Sequence, residues 1–130
     1  MTPRGFLDDY RDTWTAILQD RSGIEALTPF FDMPCTMVLA DETTRRVRTE
    51  AELLAFNTDR VTSFKAGGAA IAEFISISIN RAEEDTAFAA VNWALRRADG
   101  STERRWHHSY TLQKPGDSWR IALSTFRHGA

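Results

Sequence analysis

The sequence predicts an α+β fold in which three helices near the N-terminus pack against an antiparallel sheet formed by the rest of the chain. Two observations carry this prediction. Before Gly67, apolar residues recur at intervals of three and four, the spacing that places side chains on one face of a helix. After Gly68, segments rich in β-branched and aromatic residues alternate with turn residues, as in sheets of long antiparallel strands.

Composition limits the classes of function. With 130 residues, 42% of them hydrophobic and 26% charged, the chain is expected to form one globular domain spanning residues 1–130. The net charge of −2 is mixed in sign along the sequence, which argues against a nucleic-acid partner. The single cysteine, Cys35, excludes an intrachain disulfide. A cytoplasmic location without membrane association is expected, because neither a signal-peptide pattern nor a membrane-spanning apolar run is present.

Three helices are predicted in chain order. The first carries an apolar stripe of Phe6, Tyr10, Trp14, Ile17 and Leu18. A short second helix is expected to begin at the capping-box sequence 22–25 and to end before Pro34. The third begins at a second capping box, 49–52, and ends at Gly67-Gly68.

Six strands are predicted around and after the third helix. A short pair is expected at 35–39 and 44–48, before that helix. The four long strands are expected at 70–80, 86–98, 102–113 and 118–127.

The turn at Asp99-Gly100 predicts which side chains share a face of the sheet. A two-residue turn there fixes the register of the flanking strands. The resulting pairs are Trp93 with Trp106, Val91 with His108, and Ala89 with Tyr110. This aromatic face is expected to look inward, onto the helices.

A second turn, at Pro115-Gly116, extends the same face into the last strand. The pairs expected there are Leu112 with Trp119, Tyr110 with Ile121, and His108 with Leu123. The opposite, outer face then carries a smaller and more polar set, namely Asn92, His107, Ser109, Ala122, Ser124 and Phe126. That outer face is predicted to form a homodimer interface, and a β-bulge would reverse the alternation beyond it.

The order of elements resembles the nuclear transport factor 2-like superfamily over nearly the whole chain. The stretches that carry the resemblance are 23–34 (GIEALTPFFDMP), 49–54 (TEAELL) and 117–121 (DSWRI). The resemblance implies a strongly curved antiparallel sheet wrapped around three N-terminal helices, a cystatin-like cone that leaves one pocket for a small molecule.

The same superfamily includes ketosteroid isomerases, scytalone dehydratase, limonene epoxide hydrolase and SnoaL-like polyketide cyclases, alongside members that only bind or assemble. The resemblance therefore does not choose a function. Laid over this chain, the ketosteroid isomerase pattern places Leu39 where the catalytic aspartate stands, which argues against that isomerisation. The scytalone dehydratase pattern leaves only Asp32 and His108 as loosely comparable residues.

Three polar residues are the candidate catalytic groups. His108, in an apolar wall, suits a general base or a hydrogen-bonding anchor, although a histidine satisfied within the core is the commoner case. Asp32 is expected to orient His108 or take a proton, and its alternative role is to cap the turn before Pro34. Tyr110 offers a phenol donor to a developing negative charge, or simply packs its ring.

Further residues are candidates for ligand binding on the inward face. They are Trp14, Phe31, Asn57, Trp93 and Trp106. Most of this aromatic surface is equally suited to filling the core. No metal is expected, because His107 and His108 point to opposite faces of the sheet. No cofactor is expected either.

The function expected from these residues is binding of a small apolar metabolite, which can be cyclic, by a homodimer. If the protein is an enzyme, cofactor-free proton transfer, such as isomerisation, cyclisation or dehydration, is the expected chemistry. The alternative is a non-catalytic ligand-binding or assembly module.

Overall fold

The computed structural model of the chain describes the backbone of residues 1–129 and the side chains of residues 1–127. In its first half lie helix α1 at Pro3–Leu18, a 3-10 helix at Ile24–Phe30, strands β1 at Phe31–Val38 and β2 at Thr44–Val47, and helix α2 at Glu50–Ala66. The second half holds β3 at Ala69–Glu83, β4 at Thr86–Arg97, β5 at Thr102–Gln113 and β6 at Arg120–Gly129. The predicted α+β class, with helices followed by a curved, unclosed sheet, is confirmed.

Side-chain caps explain where the two α-helices begin. The hydroxyl of Thr2 accepts a hydrogen bond from the backbone N–H of Gly5 at 3.0 Å, and that of Thr49 accepts from the N–H of Glu52 at 3.2 Å. The capping box predicted at 22–25 is wrong, because Gly23 precedes the second helix without a side-chain cap. That helix is a 3-10 helix, and Pro29 inside it lacks the N–H that α-helical bonding would use.

The sheet is six-stranded in the order β2-β1-β6-β5-β4-β3. Every neighbouring pair is antiparallel except β1 and β6, which run parallel. A parallel pair needs a long connection, and here α2 and three long strands lie between its two members. Register shifts in four of the five pairings mark bulges, which bend and twist a sheet.

The β4–β5 hairpin has the predicted register but not the predicted turn. Trp93 pairs with Trp106, and the two neighbouring predicted pairs also form. The backbone N–H of Arg97 donates to the carbonyl of Ser101 at 2.8 Å, which leaves a three-residue loop containing Gly100 at φ +89°. A register shift beyond Leu95, at Glu103, compensates for the extra loop residue.

The β5–β6 register differs from the prediction in two ways. Leu112 pairs with Ile121 instead of Trp119, a shift of two residues that leaves Trp119 and Ile121 buried. The next pair is Thr111 with Leu123, so Ala122 is an extra residue in β6.

This bulge reverses the alternation beyond it. Tyr110 consequently pairs with Ser124, and His108 pairs with Phe126. The predicted pairings of Tyr110 with Ile121 and His108 with Leu123 are wrong, and so is the placement of Ser124 and Phe126 on the outer face.

The inward orientation of the aromatic face is confirmed. Trp93, Trp106, His108 and Tyr110 are all buried, with at most 6% of any of them exposed. Tyr10 of α1 contacts this face, with its ring centroid 6.2 Å from that of Trp93 and 6.1 Å from that of Tyr110. Among the residues described, no helix has the length and apolar character needed to span a membrane.

Candidate ligand-binding site

One cavity of about 430 Å³ lies between α2 and the inner surface of the sheet. It reaches the size range of small-molecule pockets. Helix α2 contributes Phe56, Asp59, Arg60, Ser63 and Phe64, β2 contributes Arg45, and residues 37–40 come from the end of β1 and the loop after it. Strands β5 and β6 contribute Arg104, Arg105, Trp106, His108, Ser124 and Phe126.

A chain of hydrogen bonds runs along the sheet wall of this cavity. The indole Nε1 of Trp106 donates to Nδ1 of His108 at 3.1 Å. On the other side of the imidazole, Nε2 lies 2.6 Å from the hydroxyl Oγ of Ser124. All three side chains line the cavity, and each is at least nine-tenths buried. We call this arrangement the Trp106–His108–Ser124 chain.

The indole donor of Trp106 determines which nitrogen of His108 carries the proton. An indole N–H can only donate, so Nδ1 of His108 must be the acceptor and carry no hydrogen. The neutral ring then carries its proton on Nε2 and donates it to Ser124. Burial, with the positive charge of Arg60 as a second cause, lowers the pKa of His108 from 6.5 to about 3. At neutral pH the ring is therefore uncharged.

Both ring nitrogens of His108 are thus occupied within the protein. To accept a proton from a substrate, the imidazole would have to lose its bond from Trp106 or exchange its tautomer. The hydroxyl of Ser124 accepts from His108 and keeps its own hydrogen for a further acceptor. The polar group that this wall presents to the cavity is consequently a hydrogen-bond donor.

The other two candidate catalytic residues lie away from the cavity lining. The phenol of Tyr110 accepts from the indole Nε1 of Trp93 at 2.9 Å, and its ring stacks on His108 with centroids 4.6 Å apart. Burial, and then the neighbouring Tyr10, raises the pKa of Tyr110, so the phenol stays protonated. Asp32 is half-buried on β1, and among the described residues no hydrogen bond joins it to His108.

Of the candidate ligand-binding residues, Trp106 alone lines this cavity. Trp14 and Trp93 line a separate void of about 10 Å³, which Trp106, Arg60 and Phe64 also border. Phe31 packs in the core with its ring 5.9 Å from that of Tyr10. Asn57 is 1% exposed, and within the described part of the chain neither polar atom of its side chain has a hydrogen-bond partner.

Ser124 and Arg60 are among the polar cavity residues that the sequence did not single out. Ser124 was placed on the outer face, because nothing in the sequence marks the bulge at Ala122. Arg60 does carry a signal, since it follows Asn57 by three residues and precedes Phe64 by four, which places it on the same face of α2. Within the described part of the chain, no group of three metal-ligating side chains lies close enough together to hold an ion.

This fold and this cavity place the protein among the NTF2-like proteins. Residues 4–128 match the family described as NTF2-like protein (DUF6841), and the chain belongs to that family. Among curated proteins, none matches the sequence.

Solved structures share the fold at low sequence identity. An NTF2-like protein with a cystatin-like fold from Novosphingobium aromaticivorans superposes with a TM-score of 0.69 and 19% identity, covering 95% of this chain and 77% of that one. An NTF2-like protein of unknown function from Shewanella oneidensis has a TM-score of 0.71 and 16% identity, and the match covers 96% of this chain and 98% of that one. Aln2 from a Streptomyces species has a TM-score of 0.71 and 13% identity, and the match covers 98% of this chain and 93% of that one. These similarities establish the fold alone.

Proposed function

We propose that the protein binds a small, largely apolar, ring-containing metabolite in the cavity between α2 and the sheet, as a SnoaL-like binding protein. The observation that supports this most strongly is the Trp106–His108–Ser124 chain, which presents one oriented hydroxyl donor in an otherwise mainly apolar wall. Few, well-placed polar groups in an apolar cavity are the usual composition of a small-molecule site.

A binding role is preferred to catalysis by His108. An efficient general base has a pKa near the working pH and a free nitrogen within reach of its proton. His108 has a pKa lowered to about 3, and both of its nitrogens are engaged. Cofactor-free isomerisation, cyclisation or dehydration remains the alternative, and it requires Trp106 to release Nδ1 when substrate binds.

The proposal is tested by screening a metabolite library for compounds that raise the melting temperature. A ligand that binds only the folded state stabilises it in proportion to the logarithm of its concentration above Kd. We expect ring-containing hits whose effect weakens in Ser124→Ala and is unchanged in Ser109→Ala, a matched change on the outer face. Hits that act equally on both variants, or a library without ring-containing hits, would contradict the proposal.

The outer sheet face supports a second proposal, a homodimer. This face carries small side chains in adjacent strands, among them Ser76, Ala90, Ser109 and Thr125, and Phe88 beside them is 46% exposed. Small side chains beside the exposed ring of Phe88 suit a self-complementary contact. Of the outer-face residues expected from the sequence, Asn92 and His107 lie opposite each other on β4 and β5, and Ser124 drops out.

A further inference from the structure

The cavity carries more positive than negative charge. Four arginines line it, namely Arg45, Arg60, Arg104 and Arg105. Among the described residues of the lining, Asp59 is the single acidic one. Arg104 is already paired, because its guanidinium binds the carboxylate of Glu103 and the hydroxyl of Ser63. Arg105 is exposed, as is Arg45, so water solvates both of them.

Arg60 differs from the other three in the number of aromatic rings around its guanidinium, since Arg45 and Arg104 each lie over one ring. Its guanidinium carbon lies 4.9 Å from the ring centroid of Trp14, 5.6 Å from that of Phe56 and 5.9 Å from that of Phe64. The side chain is half-buried, and within the described residues it forms no ion pair and no hydrogen bond. Aromatic faces satisfy the charge in part but leave the N–H donors at the edge of the guanidinium unused.

We propose that the ligand is a ring-containing carboxylate and that Arg60 binds its carboxylate group. A planar guanidinium donates two parallel hydrogen bonds to a carboxylate, and one half-buried cation matches one monovalent anion. The Ser124 hydroxyl, also in the cavity lining, adds a donor of the same polarity. This inference rests on the proposed binding function and adds the charge and chemical class of the ligand.

The walls of the cavity suit a flat ring attached to that carboxylate. The rings of Phe64 and Trp106 lie nearly parallel, with an interplanar angle of 25° and centroids 5.9 Å apart. Both line the cavity, together with Phe126 from β6 and Phe56 from α2. Aromatic surfaces of this kind stack on or edge against a ligand ring.

The test compares two probes of nearly the same shape and different charge, 2-naphthoate and 2-naphthamide, by isothermal titration calorimetry. We expect wild-type protein to bind the carboxylate about tenfold or more tightly than the amide, because charge-assisted hydrogen bonds are stronger than neutral ones. Arg60→Gln should abolish this preference. Arg21→Gln, which removes an exposed charge that does not line the cavity, should keep it. The affinities of both probes are also measured in Arg60→Lys, which retains the charge, in case Arg60→Gln fails to fold.

The possible results separate the charge of the ligand from the existence of the site. Equal affinity for the two probes in wild type, or a preference that survives Arg60→Gln, overturns the role of Arg60. If that equal binding is lost in Ser124→Ala, the proposed binding function still stands. Failure of both probes to bind wild-type protein counts against both proposals.

Discussion

The hydroxyl Oγ of Ser124 lies 2.6 Å from Nε2 of His108 because β6 carries one extra residue between the partners of Leu112 and Thr111. The extra residue is Ala122, and it turns the side chains from Leu123 to Phe126 to the opposite face. Without it Ser124 would face outward, and Nε2 of His108 would be buried without an acceptor. A local irregularity of the backbone therefore brings the hydroxyl of Ser124 into the cavity.

Replacing Ser124 with alanine is predicted to destabilise the fold. It leaves the Nε2–H of His108, in a side chain that is 6% exposed, without an acceptor. A buried unsatisfied donor costs about 1–3 kcal/mol, so the free energy of unfolding should fall by that amount in urea denaturation. Ser109→Ala on the outer face serves as control and should change it by less than about 0.5 kcal/mol. Equal stability of the two variants would show that the bond to Ser124 is not formed.

Stability is predicted to fall on mild acidification because of His108. Folding holds its pKa at about 3, whereas the unfolded imidazole titrates near 6.5, so the unfolded state binds more protons between those values. The stability that the neutral His108 contributes is complete above pH 6.5. It is lost as the pH drops towards 3, by at most about 1.4 kcal/mol per pH unit.

Urea denaturation across that pH window measures the slope, and His108→Gln should flatten it. Hydrogen bonds from Thr43 and Ser101 lower the pKa values of Asp41 and Asp99. These two carboxylates therefore add a further loss of stability only below their ordinary pKa of 3.8. A wild-type protein whose stability is constant down to about pH 4.5 contradicts a neutral buried His108.

Asn57→Leu is predicted to stabilise the protein. The side-chain amide of Asn57 is buried on α2, and none of the described residues offers it a hydrogen bond. Replacing it with an apolar side chain of similar length removes a desolvation cost of about 1–3 kcal/mol. The melting temperature should rise, while Thr58→Leu on the exposed side of the same helix should change it little. A lower melting temperature would indicate that the amide is satisfied.

Ser109→Glu is predicted to convert a dimer into a monomer. Ser109 lies on the outer face between Ala90 and Thr125, and a charge there would be buried unpaired in a two-fold contact. Size-exclusion chromatography with light scattering should give twice the chain mass for wild type and the chain mass for the variant. Ser118→Glu, in an exposed loop, should remain dimeric. A monomeric wild type, or a variant that stays dimeric, removes the outer-face interface.

Much of the fold was predictable because it follows from local chemistry. The capping threonine Thr49 and the periodic apolar residues of α1 read directly from the sequence. Gly100 adopts the positive φ expected of its turn. The parallel pairing of β1 with β6 has no local signal, because it joins segments about 85 residues apart.

The cavity was less predictable, because its polar groups depend on the backbone between turns. The alternation of side chains along β5 placed Trp106 and His108 on the correct face. The bulge at Glu103 offsets the extra loop residue, so the register is already the predicted one at Trp106. No shift cancels the extra residue Ala122 before Ser124 is reached, so alternation assigned Ser124 to the wrong face. Residue type alone also did not show that His108 is held by an indole donor instead of by Asp32.

Nitrogen-15 NMR of the His108 ring tests the central claim most directly, because the two ring nitrogens have distinct shifts in each protonation state. The claim predicts that Nε2 carries the proton and Nδ1 does not, with both signals unchanged from about pH 8 to pH 5. Trp106→Phe, which removes the indole donor, should relax the preference between the two nitrogens. A proton on Nδ1 in the wild-type protein, or a ring that becomes charged near pH 6.5, would contradict the claim and restore His108 as a candidate base.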